Sequence, residues 1–354
     1  MLNHFINNQI ILKTNQLILA AAALVAFAGC TKENLNLNRS NDLNNEIGFN
    51  AVTRKATKAN NAIISGSTYA TDNTFNVWGW QSEAGDFSEF SDNAASNFMS
   101  NITISWCGGP QSRANAWRNA EHYYYWPYTG KIGFLAVHPS TVAPTTTGWD
   151  ATNDKAKATI ADYTISASND STDLMFACAE GARRADALPL QFNHALSQIQ
   201  FRVMTKDDYS ADMQFTIDSI RINKIDLSGD VLYQNATITW SDNAAQTESW
   251  DYYKVSQVAT HAADSSAATM YGRAHVMIPQ GENAETTLTI GYTMQQLPAN
   301  ANDPISGTVV VAAPQEWLAG KRYVYTLCFN LYEITFNPTV NDWVDVNVAT
   351  INIP

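Results

Sequence analysis

Arg322–Leu331, RYVYTLCFNL, decides the fold class: Tyr323, Tyr325, Leu327, Phe329 and Leu331 occupy alternate positions without a break. A period of two places all five on one face of an extended strand, whereas a helix would scatter them around its circumference. Outward from this stretch the same signature recurs. Toward the N-terminus it marks Thr308–Val311, Leu288–Met294, His275–Ile278 and Thr237–Trp240. In Met213–Leu227 the alternation slips near Asp218-Ser219 and again near Asn223-Lys224, as β-bulges make it do. Leu190–Met204 reads as one run after a turn at Ala187-Leu188-Pro189. Further upstream, strands are expected near Phe75–Trp80, Ile102–Trp106, Tyr123–Trp126, Ile132–Val137, Tyr163–Ile165 and Leu174–Ala177, between Gly, Pro, Asn, Asp and Ser turn signals. Beyond it, Trp343–Ile353 carries Val344, Val346 and Val348 on one face. Long segments with a 3.6-residue apolar period are missing. The expectation is an all-β chain of twelve or more short strands forming two tandem β-sandwich domains, 46–187 and 188–354.

Composition narrows the function classes. Of 354 residues, 45% are hydrophobic and 11% aromatic, enough to bury a sizeable core, and only 15% are charged. The formal net charge of −12 argues against nucleic acid as a partner, since affinity there begins with Lys and Arg neutralising phosphates. Apart from Cys30, the cysteines are Cys107, Cys178 and Cys328, an odd set at irregular spacing. That allows at most one disulfide and offers no CxxC for zinc.

Leu17–Ala28 is an apolar run too short to span a bilayer as a helix, which takes about 20 residues. It ends in Phe27-Ala28-Gly29-Cys30, which resembles the bacterial lipobox. Residues 1–29 are therefore expected to be a lipoprotein signal peptide, with Cys30 as the lipidation site, and the Asn-rich residues 30–45 a polar tether. Glu46–Val52 is the first ordered candidate, a strand with Ile47, Phe49 and Ala51 on one face. Arg54, Lys55 and Lys58 follow in an exposed basic run.

No catalytic template is present: no GxSxG, HExxH, Walker loop, or GxGxxG after a strand. His122, His138, His194, His261 and His275 stand singly, without a second ligand at metal spacing, so structural roles are expected for them. His194 is the most suggestive, opening a strand between Phe192 and Leu196. Neither an enzyme, nor a metal site, nor a cofactor is expected. The acidic loop Asn169–Asp173 lacks the Gly and closing Glu of a calcium loop. Tyr123, Tyr125 and Trp126 form a candidate glycan platform, since flat aromatic faces suit pyranose rings; core filling by alternate residues is the competing reading.

The order of several features resembles the fimbrillin family, the pilins of type V pili. They are the lipobox and tether, a strand ending in Val52-Thr53-Arg54, Tyr125-Trp126-Pro127, and Lys131–Pro139, KIGFLAVHP. Phe192–Ile199, FNHALSQI, Trp317–Tyr325, WLAGKRYVY, and Val340-Asn341-Asp342-Trp343 continue it. The resemblance implies transthyretin-like sandwiches and an outer-membrane lipoprotein precursor held by lipid on Cys30. An arginine-specific protease would cut at Arg54, with Arg39 as the fallback, and remove the first strand with Ile47, Phe49 and Ala51. The C-terminal strand 343–353 of another copy or a related pilin, with Val344, Val346 and Val348, would refill the groove in a head-to-tail surface polymer serving adhesion to a host or bacterial ligand. The alternatives are an uncleaved anchor or tip subunit of the same pilus, and a non-polymerising surface lipoprotein that binds glycans.

Overall fold

The computed structural model describes residues 45–53, 69–108, 116–165, 172–241, 246–298, 304–314, 316–330 and, for the backbone, 334–342. Among them every regular element is a strand. The first nine are β1 (Phe49–Thr53), β2 (Phe75–Ser82), β3 (Met99–Cys107), β4 (Ala116–Arg118), β5 (Lys131–His138), β6 (Thr146–Asp150), β7 (Lys155–Thr164), β8 (Met175–Gly181) and β9 (Leu188–His194). Then come β10 (Ser197–Thr205), β11 (Met213–Ile225), β12 (Ser228–Gln234), β13 (Thr237–Trp240), β14 (Glu248–Tyr253) and β15 (Gln257–Ala259). The last are β16 (Thr269–Met277), β17 (Thr287–Gln296), β18 (Ile305–Ala312), β19 (Lys321–Phe329) and β20 (Ile334–Asp342).

The first body is a closed barrel in the order β1-β4-β3-β2-β5-β8-β9, shut by a parallel pairing of β9 with β1. Its interior holds Phe49, Phe75, Val77, Trp117, Ile132, Phe134, Met175, Leu190 and Phe192. The outer face of β2, β5 and β8 is buried as well, with Trp78, Trp80, Leu135, Val137 and Phe176 in a second core. That core is covered by the sheet β13-β12-β7-β6. Burial on both faces explains why Lys131–His138 reads as a nearly continuous apolar run and not as an alternation. The second body stacks the sheet β16-β10-β19-β20 on a sheet of order β14-β11-β17-β18, with β15 also paired to β11. Between them lie Ile199, Phe201, Val203, Ile217, Ile220, Leu288, Ile290, Tyr323, Tyr325 and Leu327.

As far as Phe329 the alternating stretch is the inner strand β19, running parallel to β10 and antiparallel to β20; Leu331 lies outside the described residues. Both expected slips in β11 are register shifts: one between Ile217 and Ser219, the other between Asn223 and Ile225, where Lys224 has φ of 62°.

Two expectations need correcting. Leu190–Met204 is two strands, not one: β9 lines the barrel and β10 belongs to the second body, joined by the buried Ala195-Leu196. The hydrophobic core positions change there from even (Leu190, Phe192) to odd (Ile199, Phe201, Val203), which turns the chain from one core to the other. The seam expected between 187 and 188 accordingly falls one strand too early, because β9 pairs with β1 and β8. Moreover β12, from the second half of the sequence, returns to pair with β7, and β13 pairs with β12 at the edge of that sheet. Leu43–Pro354 form one compact unit.

Candidate functional site

The segment from Asn45 to Thr53 is built into the barrel wall as one continuous insert. Its backbone is bonded on both sides. Trp126 N–H donates to the Asn45 carbonyl at 2.8 Å and Ile47 N–H to the Tyr124 carbonyl at 2.7 Å, while Leu188 N–H donates to the Gly48 carbonyl at 2.7 Å. β1 then runs parallel to β9 from Phe49 opposite Leu188 to Thr53 opposite Phe192, but meets β4 only at Phe49 opposite Trp117. β9 in turn is paired to β8 only at His194 and Asn193, so most of its ladder rests on β1.

Ile47, Phe49 and Ala51 all point into the barrel and are 3%, 1% and 5% exposed. The Phe49 ring meets Phe134 edge-on at 5.2 Å and Phe75 at 6.3 Å. Burying a side chain of this size contributes about 1.5–3 kcal/mol. Taking the segment away would uncover that apolar row together with a line of backbone donors and acceptors on β9, each costly if left dry and unpaired.

Polar contacts mark the segment's N-terminal end. The Glu46 carboxylate, almost fully buried, pairs with the Arg118 guanidinium at 2.8 Å. The same guanidinium lies 5.4 Å over the Tyr123 ring. Arg183 Nε–H donates to Asn45 Oδ1 at 2.8 Å and its guanidinium covers the ring of Tyr128. The ion pair is invisible to sequence reading because its members are 72 positions apart.

At the other end of the barrel β5, β8 and β9 are held by buried polar groups. Asp173 Oδ2 and His194 Nδ1 lie 2.5 Å apart, with both side chains out of solvent. The Tyr69 hydroxyl bonds His138 Nδ1 at 2.6 Å, and the Tyr69 ring stacks on Phe192 at 5.1 Å. Burial pushes the His138 imidazole below its usual range against the opposing pull of the Thr74 carbonyl, and pushes the Tyr69 phenol up. Asp173 faces His194 and not a calcium site; Asn169, Asp170 and Ser171 lie outside the described residues. His275 is packed between the rings of Trp250 and Tyr252, and His122 and His261 are exposed. Among the described residues no group of three or more His, Cys, Asp or Glu is placed to hold a metal, and Cys107, Cys178 and Cys328 are not joined in disulfides.

The aromatic run divides. Tyr123 and Tyr125 are exposed, but Trp126 is 4% exposed, edge-on to Phe134 at 5.9 Å. Its ring packs over Gly181, where a Cβ would come within 2.5 Å of it. Trp126 is therefore a wall of the barrel and unavailable as part of a sugar platform. The run is not a strand either: it contributes only the bridge between Tyr125 and Glu46. Cys30, Arg39, Arg54, Val344, Val346 and Val348 lie outside the described residues.

Comparison with known proteins follows the same line. The solved structure of a fimbrial protein from Bacteroides vulgatus superposes with a TM-score of 0.60 at 17% identity, covering 85% of this chain and 100% of that one. Candidate cell adhesion proteins from Bacteroides ovatus and Bacteroides uniformis give TM-scores of 0.49 and 0.48, each at 15% identity. They cover 85% and 84% of this chain and 98% of each of theirs. No curated protein matches. The fimbrillin-like family matches residues 53–343, from the last residue of β1 to the residue after β20. With most of its length matched in this way, the chain belongs to the fimbrillin-like family.

Proposed function

We infer that the protein is a subunit of a cell-surface adhesive pilus that assembles by exchanging a strand. One observation carries the reading: the strand that closes the barrel, β1, ends at Thr53, one residue before Arg54. Export as a lipoprotein through Cys30 would deliver the subunit to the outer membrane with its barrel closed. Cleavage after Arg54 would release lipid, tether and β1 together, and the opened groove on β9 would take the C-terminal segment 343–354 of the next subunit. This is strand addition to a sheet edge used as a polymer joint. The contact is head-to-tail, so it propagates as an open filament. Self-association or association with a related subunit is the partnership, and the processing enzyme would be an arginine-specific protease.

The donor half of this reading is tested by a chain that ends at Asp342. It retains β20, so it is expected to fold and reach the surface. No heat-resistant polymer ladder should then appear on gels of surface fractions. A ladder as abundant as that of the full chain would overturn the assignment of 343–354 as donor.

A further inference from the structure

We propose that Arg118 is a carboxylate-binding specificity residue of the assembly groove and that Asp345 of a second copy is its ligand; the proposal rests on the strand-exchange reading above. In the closed barrel Arg118 is paired with Glu46 at 2.8 Å, and the two side chains are 18% and 5% exposed. Glu46 directly precedes the buried row Ile47, Phe49 and Ala51. When the first strand leaves, its carboxylate leaves with it. The guanidinium, whose Nε is buried and without a hydrogen-bond partner in the closed barrel, then faces the open groove, and any strand that refills the groove takes its charge out of water again. An uncompensated charge in such a place is expensive, so the groove selects an occupant that brings an anion to that point.

The chain has one segment of suitable chemistry outside the described residues. After β20 ends at Asp342 it continues as WVDVNVATINIP, residues 343–354, whose only charged side chain is Asp345. Fully extended it reaches about 40 Å at roughly 3.3 Å per residue, more than the span from Glu46 to Thr53. Placing Asp345 at the Glu46 position and running in the direction of β1 puts Val346 at Ile47 and Val348 at Phe49. Thr350 then falls at Ala51 and Asn352 at the buried polar Thr53.

The reverse direction places Asp342 in the pocket of Phe49 and is excluded by its charge. The register that aligns Val344, Val346 and Val348 with Ile47, Phe49 and Ala51 sets Trp343 against Arg118 and leaves the guanidinium without a counter-charge. Arg118 therefore fixes both direction and register, two residues along from the simple match of valines. Residues 343–354 contain no glycine. Any register thus puts a side chain at Gly48, where a Cβ meets the Ala116 Cβ at 3.0 Å, and β4 must give by a few tenths of an ångström.

The test uses the full chain in its own surface-assembly system, reading polymer ladders. Asp345→Asn is expected to lower the polymer fraction by about tenfold or more, and Asp345→Glu, which keeps the carboxylate, to stay within about twofold of the unmodified chain. Neither alters the described barrel. Asp345→Lys should likewise block assembly. Adding Arg118→Glu with Glu46→Lys, which reverses the pair in both the closed and the assembled state, should restore it once surface delivery shows that the triple variant folds. Ladders from Asp345→Asn and Asp345→Lys equal to those of the unmodified chain overturn the proposal, as does a folded triple variant that assembles no better than Asp345→Lys. These outcomes are separable from failure of the strand-exchange reading, which would instead show as polymer formed by the chain ending at Asp342.

Discussion

Phe49→Ala is expected to destabilise the uncleaved chain by about 3–5 kcal/mol, the cost of emptying a fully buried phenylalanine site, and to leave the assembled polymer unaffected. The ring is 1% exposed and lies edge-on to Phe134 and Phe75, so its loss opens a cavity among rigid aromatic neighbours that cannot close in. Under strand exchange the residue would be absent from the polymer, because it would lie on the segment removed by cleavage after Arg54. Urea unfolding of the purified precursor measures the first effect. Heat resistance of the surface polymer measures the second. Tyr128→Ala, at a side chain 84% exposed, serves as the control and should stay within about 0.5 kcal/mol. A loss below about 1 kcal/mol for Phe49→Ala would mean that β1 is not the keystone of the closed barrel.

Asp173→Ala is expected to cost a similar amount, about 3–5 kcal/mol, but in every state of the protein. Asp173 and His194 lie 2.5 Å apart with both side chains out of solvent, and they join the start of β8 to the end of β9. Removing the carboxylate takes from a buried imidazole the partner at its Nδ1. Asp173→Asn keeps the shape and one acceptor and should lose less, about 1–3 kcal/mol. Neither residue is on the segment that cleavage after Arg54 would remove, so in contrast to Phe49 the defect would persist after it. Urea unfolding of precursor and of cleaved subunit should therefore show the same loss for Asp173→Ala; equal stability of the variant and the unmodified chain would remove the pair from the list of what holds β9 in place.

Most strands of this fold were legible, including β2 and β5 with both faces buried and the largely exposed β18, while β12 and β14, each with one buried face, went unread. The period of two exposed β19 and the bulges of β11, because Tyr323, Tyr325 and Leu327, or Phe215 and Ile217, share a core. It also placed Ile47, Phe49 and Ala51 on one buried face. It missed β4, three residues long, and caught only the end of β7 near Tyr163–Ile165, because the buried alternation upstream rests on the alanines Ala156 and Ala158 as well as on Ile160. The break at Ala195-Leu196 is written only as a change of parity in the apolar positions, since β9 and β10 serve different cores. Pairing between distant strands carries no local mark. That is why the return of β12 to β7, the Glu46–Arg118 pair and the Asp173–His194 pair had to come from the structure. The aromatic run at Tyr123–Trp126 shows the same limit from the other side. Composition alone does not tell an exposed ring such as Tyr123 from the barrel wall that Trp126 turns out to be.

Strand exchange requires that β1 leave and that the groove on β9 be refilled by another subunit. Its most direct test is the intact mass of subunits recovered from surface polymer, taken with and without an inhibitor of arginine-specific proteases. The expected result is a subunit that begins at Lys55 and carries no lipid, and with the inhibitor a lipidated chain beginning at Cys30 that forms no polymer. Polymerised subunits that still carry a lipidated Cys30 would contradict it.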